Sequence, residues 1–168
     1  RRAKISVTGA GGTGKTTFSR ALAKRMGNTH AHPSNIHKHL DTEIKRSALG
    51  WDFTKYKPKG GTLSEQTHLL SQSDPNNYDV MIHLEKPISK VRSQLLSRGK
   101  GATQYPIENY SKLQTNLRNA FELTDGKTHT VGSHIKVKFK PKGGFNADRR
   151  LNAELAKLKI NPIQRLAY

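Results

Sequence analysis

The chain has 168 residues, no cysteine, and 30 Lys+Arg against 12 Asp+Glu, a formal net charge of +18. These figures exclude disulfides, thiolate-held zinc and thiol catalysis, fit a reducing, cytoplasmic setting, and give the surface an attraction for polyanions. With 33% hydrophobic residues and no apolar run near the roughly 18 residues of a membrane span, a single domain over 1–168 with a small core, long solvated loops and no membrane contact is expected.

Arg1-Arg2 opens the chain without the apolar core of a secretory signal and without Met, so no terminal signal is read from it. Lys4 to Thr8, with Ile5 and Val7, reads as a buried first strand. It leads into Gly9-Ala10-Gly11-Gly12-Thr13-Gly14-Lys15-Thr16, which fits G-x-x-x-x-G-K-[ST] at every fixed position and is followed by Thr17 and a helical run. Glycines let the backbone wrap an anion without Cβ clashes, so that successive N–H groups and the helix N-terminus face a polyphosphate. In that arrangement Lys15 bridges the β- and γ-phosphates of ATP and the Thr16 hydroxyl holds Mg²⁺. Phe18, Ala21, Leu22 and Met26 give the helix its apolar face, and Gly27 ends it.

From Asn28 to Leu63 the pattern is polar. Thr29 to His32 reads as a short strand ended by Pro33, Ile36 to Arg46 as a helix, and Ala48 to Phe53 as another strand. Leu63 to Leu70 reads as a short helix before the Ser73-Asp74-Pro75-Asn76-Asn77 turn, and Tyr78 to Leu84 as a central strand. A helix follows from Pro87, with Ile88, Val91 and Leu95 on one face, and stops at Arg98-Gly99. Another runs through Tyr110, Leu113, Leu117 and Phe121 to Asp125-Gly126. Ile135, Val137 and Phe139 alternate with Lys136, Lys138 and Lys140, the pattern of an exposed, possible edge strand. Ala147, Leu151, Leu155 and Leu158 form a last amphipathic helix.

Basic residues concentrate from Lys136 to Arg150, within a C-terminal strand and helix over 136–168. Lys55-Tyr56-Lys57-Pro58-Lys59-Gly60-Gly61 recurs as Lys138-Phe139-Lys140-Pro141-Lys142-Gly143-Gly144, an aromatic between lysines before a turn. That composition suits either two solvated turns or a site that stacks a base and contacts phosphate. His30, His32, His37 and His39 form two His-x-His pairs, which fit surface or acceptor-pocket histidines, or a transition-metal site.

With the phosphate loop, the Tyr78 to Leu84 strand and the Arg98-bearing helix end in order, the chain resembles the P-loop kinases of nucleosides, nucleotides and other small metabolites. Glu85-Lys86-Pro87 followed by Arg92, Arg98 and Lys100 looks like that superfamily's entry into an arginine-bearing lid, here about 86–110. Tyr105-Pro106-Ile107-Glu108-Asn109-Tyr110 resembles the start of the post-lid helix in deoxynucleoside kinases. The resemblance implies an α/β, three-layer fold: a mostly parallel sheet of about five strands, helices on both faces, ligands at the strands' carboxyl ends. It implies an ATP- and Mg²⁺-dependent phosphotransferase, with Arg98, then Arg92 and Lys100, meeting charge on the transferring phosphate. Asp52 could end a Walker B-like strand and hold Mg²⁺ through water, and Asp41 or Glu43 could orient or deprotonate an acceptor hydroxyl.

A nucleoside, nucleotide or related small acceptor leads, with a polynucleotide 5′ end possible through the basic surface. The alternative is a nucleic-acid-associated P-loop ATPase or a nucleotide-dependent binding protein. The absence of an Asn-Lys-x-Asp signature argues against a GTPase, and Ala10 stands where partition-type ATPases carry a further lysine. Oligomeric state has no signal in the sequence.

Overall fold

In a computed structural model, residues 2–32, 46–47, 50–51, 53–54, 56–97, 107–140 and 147–157 are described. In chain order the elements are β1 (Ile5–Gly9), α1 (Lys15–Met26), β2 (Thr29–Ala31), β3 (Arg46–Ser47), β4 (Gly50–Trp51), β5 (Thr62–Glu65) and α2 (Leu69–Gln72). A 3-10 turn (Pro75–Asn77), β6 (Val80–Leu84), α3 (Ile88–Ser97), α4 (Ile107–Glu122), β7 (Thr128–Val131), β8 (Ile135–Phe139) and α5 (Ala147–Lys157) complete them.

The main sheet has six strands in the order β2-β5-β1-β6-β8-β7. The first four in that order run parallel, β8 is antiparallel to β6, and β7 is antiparallel to β8. The sheet is therefore mixed, which corrects the mostly parallel arrangement of about five strands. Parallel neighbours need long crossovers, which the chain supplies from β1 to β6, whereas β7 and β8 are joined by the short Gly132–His134 turn and close up as a hairpin. β8 lies between two strands and is not an edge.

Alternation along the strands divides the core. Ile5, Val7, Leu63, Val80, Ile82, Leu84, Ile135 and Val137 meet Phe18, Leu22 and Met26 of α1 and Leu151 and Leu155 of α5. On the opposite face Met81 joins Tyr56, Tyr78, Leu69, Leu70 and Phe121, so helices cover both faces. The α1 stop is as expected: Gly27 closes it, with the Asn28 N–H donating to Ala23 O at 2.8 Å.

Two expected elements differ. Leu63 to Leu70 is not one helix: Thr62–Glu65 pairs with β1 and β2, and the helix begins at Leu69. Thr62, Ser64 and Glu65 are buried without being apolar, so hydrophobic periodicity does not mark them as a strand. Of the expected helix Ile36 to Arg46, only Arg46 is described, and it pairs in the two-residue β3–β4 ladder that also takes part of Ala48 to Phe53.

Candidate functional site

The phosphate-loop motif follows the carboxyl end of β1 and is tightly backed. A Cβ on Gly9 would stand 2.8 Å from the Leu84 carbonyl oxygen, so β6 admits no side chain there. Gly12 has φ +81°, and its Cβ would stand 3.0 Å from Val91 O and 3.2 Å from Leu95 Cγ, which places the loop directly against α3. Ala10 is fully buried, and its carbonyl accepts from Thr13 Oγ1 at 2.7 Å and from Lys15 Nζ at 3.4 Å, so the lysine folds back over its own loop. Gly14 caps α1 with no side-chain acceptor, and the first turn carries no acid. The positive end of the helix dipole therefore has no acid from the helix's own first turn. Gly11 sits near the ring of Tyr110, and Thr17 is exposed.

Beside the loop, Thr16 Oγ1 donates to Glu65 Oε2 at 2.7 Å across a sequence separation of 49. Glu65 is 1% exposed at the carboxyl end of β5 and shares its strand face with Leu63, the face on which α1 packs. Its other oxygen, Oε1, lies 2.8 Å from His30 Nε2. His32 Nε2 lies 3.3 Å from Thr16 Oγ1, and the two imidazoles meet edge to face at 5.9 Å. Burial pushes the Glu65 carboxyl up, but hydrogen bonds from His30 and Thr16 and the charge of Lys15 outweigh it and hold the group below the usual carboxylate range. The acid is ionised at neutral pH. His68, at the start of α2, is lowered by burial and by the Lys15 charge.

Glu65 is the residue that sequence reasoning missed, because its strand was read as a helix. The available signal was an acid two positions after Leu63 in a short segment behind the Gly60-Gly61 turn. Asp52, read from sequence as the acid that holds Mg²⁺ through water, lies outside the described residues, as do Asp41, Glu43, Arg98, Lys100, His37 and His39. Arg92 is exposed on α3, next to the Val91 that touches Gly12, and makes no side-chain hydrogen bond or ion pair among the described residues.

After β6, Glu85 receives a forked bond from Arg118 of α4, at 2.6 and 3.0 Å, and pairs with buried His83 at 3.0 Å. Burial raises the Glu85 carboxyl, yet the His83 and Arg118 bonds prevail and bring it down to about 2. Gln114 clamps the next residue, accepting from Lys86 N at 3.0 Å and donating to Lys86 O at 2.9 Å. These contacts tie the entry of α3 to the middle of α4.

β8, read from its alternation as an exposed strand, has its lysines engaged within the fold. Lys138 is buried, and its Nζ donates to the carbonyls of Phe121 (2.8 Å), Glu122 (3.1 Å) and Thr124 (2.8 Å) at the carboxyl end of α4. Lys140 Nζ donates to Asn76 O at 2.9 Å, and Lys136 lies 3.7 Å from Glu122. In the repeat, Tyr56 is fully buried with its hydroxyl on Ser64, so it offers no ring for stacking; Phe139 packs partly buried against the core.

No family model, curated protein or solved structure matches the chain. The donor set fits a magnesium-bound polyphosphate: hard oxygen donors at Thr16 and Glu65, a primary ammonium at Lys15, and an uncapped helix N-terminus. Among the described residues, no three His, Cys, Asp or Glu side chains are grouped to hold a metal by themselves, and no helix is long and apolar enough to cross a membrane.

Proposed function

We propose that the chain binds Mg·ATP at the Gly9–Thr17 loop and transfers the γ-phosphoryl group to a small hydroxyl or phosphate acceptor, as P-loop kinases of nucleosides and nucleotides do. The observation that carries this is the Thr16–Glu65 hydrogen bond. A hydroxyl that the loop motif assigns to Mg²⁺ meets an ionised, buried carboxylate from the strand next to β1, and no feature of the motif requires that partner. The parallel half of the sheet supports the same reading, since β1, β5 and β6 turn their carboxyl ends, with Gly9, Glu65 and Glu85, toward one side.

In this reading Lys15 leaves Ala10 O for the β- and γ-phosphates, and the loop amides hold the phosphate oxygens. Thr16 and Glu65 would hold Mg²⁺, which would offset charge on the phosphates. Arg98 and Arg92 are the cations for the transferring group. A small acceptor is favoured over a polynucleotide end, because Lys136, Lys138 and Lys140 make contacts within the fold.

The test is a transfer screen with labelled ATP across nucleosides, nucleotides, small metabolites and 5′-hydroxyl oligonucleotides. Label on a small acceptor is the expected result. Hydrolysis without an acceptor, stimulated by DNA or RNA, would replace the kinase reading with a nucleic-acid-associated ATPase.

A further inference from the structure

We infer that His30 is a positioning residue for Glu65: it fixes the carboxylate so that one oxygen is held by the imidazole and the other stays on Thr16, aimed at the loop. The inference rests on the nucleotide-binding reading and extends it to a residue the loop motif does not contain. Glu65 is 1% exposed, so a swing to another rotamer would leave an ionised carboxylate buried with fewer partners. Its two oxygens are divided, Oε1 to His30 Nε2 at 2.8 Å and Oε2 to Thr16 Oγ1 at 2.7 Å. The imidazole therefore fixes the plane and rotamer of the carboxylate, so that an oxygen stays on Thr16.

His30 is itself held. It lies on β2 in register with Leu63 of β5, two residues before Glu65, and its ring meets that of His32 edge to face. His32, the residue after β2, returns to Thr16 Oγ1 at 3.3 Å, so four side chains, two from β2 and its exit, one from α1 and one from β5, close a ring of contacts. Thr16 donates its single proton to Glu65 and keeps a lone pair for a cation. The arrangement is that of an outer partner orienting an acid beside a metal-binding hydroxyl.

The test compares His30→Met with His30→Gln, two unbranched side chains of similar length of which only Gln carries a donor. Nucleotide binding to the full chain is followed by calorimetry with ATP, first with the divalent ion chelated and then across a Mg²⁺ titration. His30→Met should raise the Mg²⁺ concentration for half-maximal tightening by about 10- to 100-fold, as loss of such outer partners does, with Mg²⁺-free affinity unchanged. His30→Gln should restore most of it.

If the wild type binds Mg·ATP and His30→Met shows the wild-type Mg²⁺ dependence, the positioning role is overturned while the nucleotide site stands. If His30→Met unfolds or melts far below wild type, the histidine braces the sheet rather than the site, and the inference also falls. A wild type that binds no nucleotide with or without Mg²⁺ overturns both.

Discussion

Replacing Lys138 with Met tests whether the basic strand serves the fold or a polyanion. Three carbonyls at the carboxyl end of α4 lose a charged donor that lies 2.8 to 3.1 Å away, and the Phe121 ring loses the ammonium 4.9 Å from its centroid. Hydrogen bonds to a charged group contribute about 1.5–3 kcal/mol each, but the three share one ammonium. Burial opposes them by lowering the lysine's pKa, although Glu122 and Asp125 push it up. Met restores the stem's apolar contact, which leaves an expected loss of about 2–4 kcal/mol. With a urea slope of about 2 kcal/mol/M, the midpoint should fall by about 1–2 M at unchanged slope. Lys136→Met, whose partner Glu122 is 3.7 Å away and largely exposed, should change stability by under about 1 kcal/mol. The decisive comparison adds single-stranded oligonucleotide binding against salt. A Lys138→Met protein as stable as Lys136→Met, with a salt slope reduced by about 0.7, would mean that this ammonium contacts phosphate and would refute the capping argument.

Lys15→Ala should abolish Mg·ATP binding in calorimetry while circular dichroism stays that of the wild type, because the side chain lies over the loop rather than in the core. For Glu85 the folded pKa, about 2, lies below the ordinary 4.5, so its stabilisation is present above pH 4.5 and is lost as pH falls toward 2. Arg118 is 41% exposed, which screens the pair, so the loss should be about 2–3 kcal/mol; urea midpoints at pH 5 and pH 3 should differ less in Glu85→Gln than in wild type. Arg98→Ala should lower kcat by a factor on the order of 10² with little change in ATP affinity, and equal losses in both would assign Arg98 to ground-state binding.

The loop half of the candidate site was legible because its residues are contiguous: the glycines, Lys15 and Thr16 lie in one stretch, between a strand and a helix that apolar spacing also reveals. The other half was not. His30 and Glu65 meet only through the pairing of β2 with β5, and Glu65 ends a strand whose buried Thr62 and Ser64 are polar. Hydrophobic spacing cannot register a strand that buries hydroxyls. The same limit applies to β8. Alternation correctly put Ile135 and Val137 on one face and the lysines on the other, but it does not tell a solvated face from one covered by a helix end whose carbonyls take an ammonium. Nor does it tell which neighbour a strand chooses, so the antiparallel β7–β8 hairpin beside β6 had no sequence signal.

The contact between Gly12 and α3 makes the loop one jaw of a clamp. With Val91 O and Leu95 against Gly12, the loop has no clearance at that residue, whereas a Cβ on Gly11 would stand at ordinary contact distance, 3.7 Å, from the Tyr110 ring of α4. Any widening of the loop at Gly12 would have to be shared by α3. The far end of α3 leads in sequence to Arg98, while its near end is pinned to α4 through Glu85–Arg118 and Lys86–Gln114. In the kinase reading proposed above, a loop that opened at Gly12 would therefore load α3 at its pinned end, so that the Glu85–Arg118 and Lys86–Gln114 contacts would feel a ligand as well as the loop does.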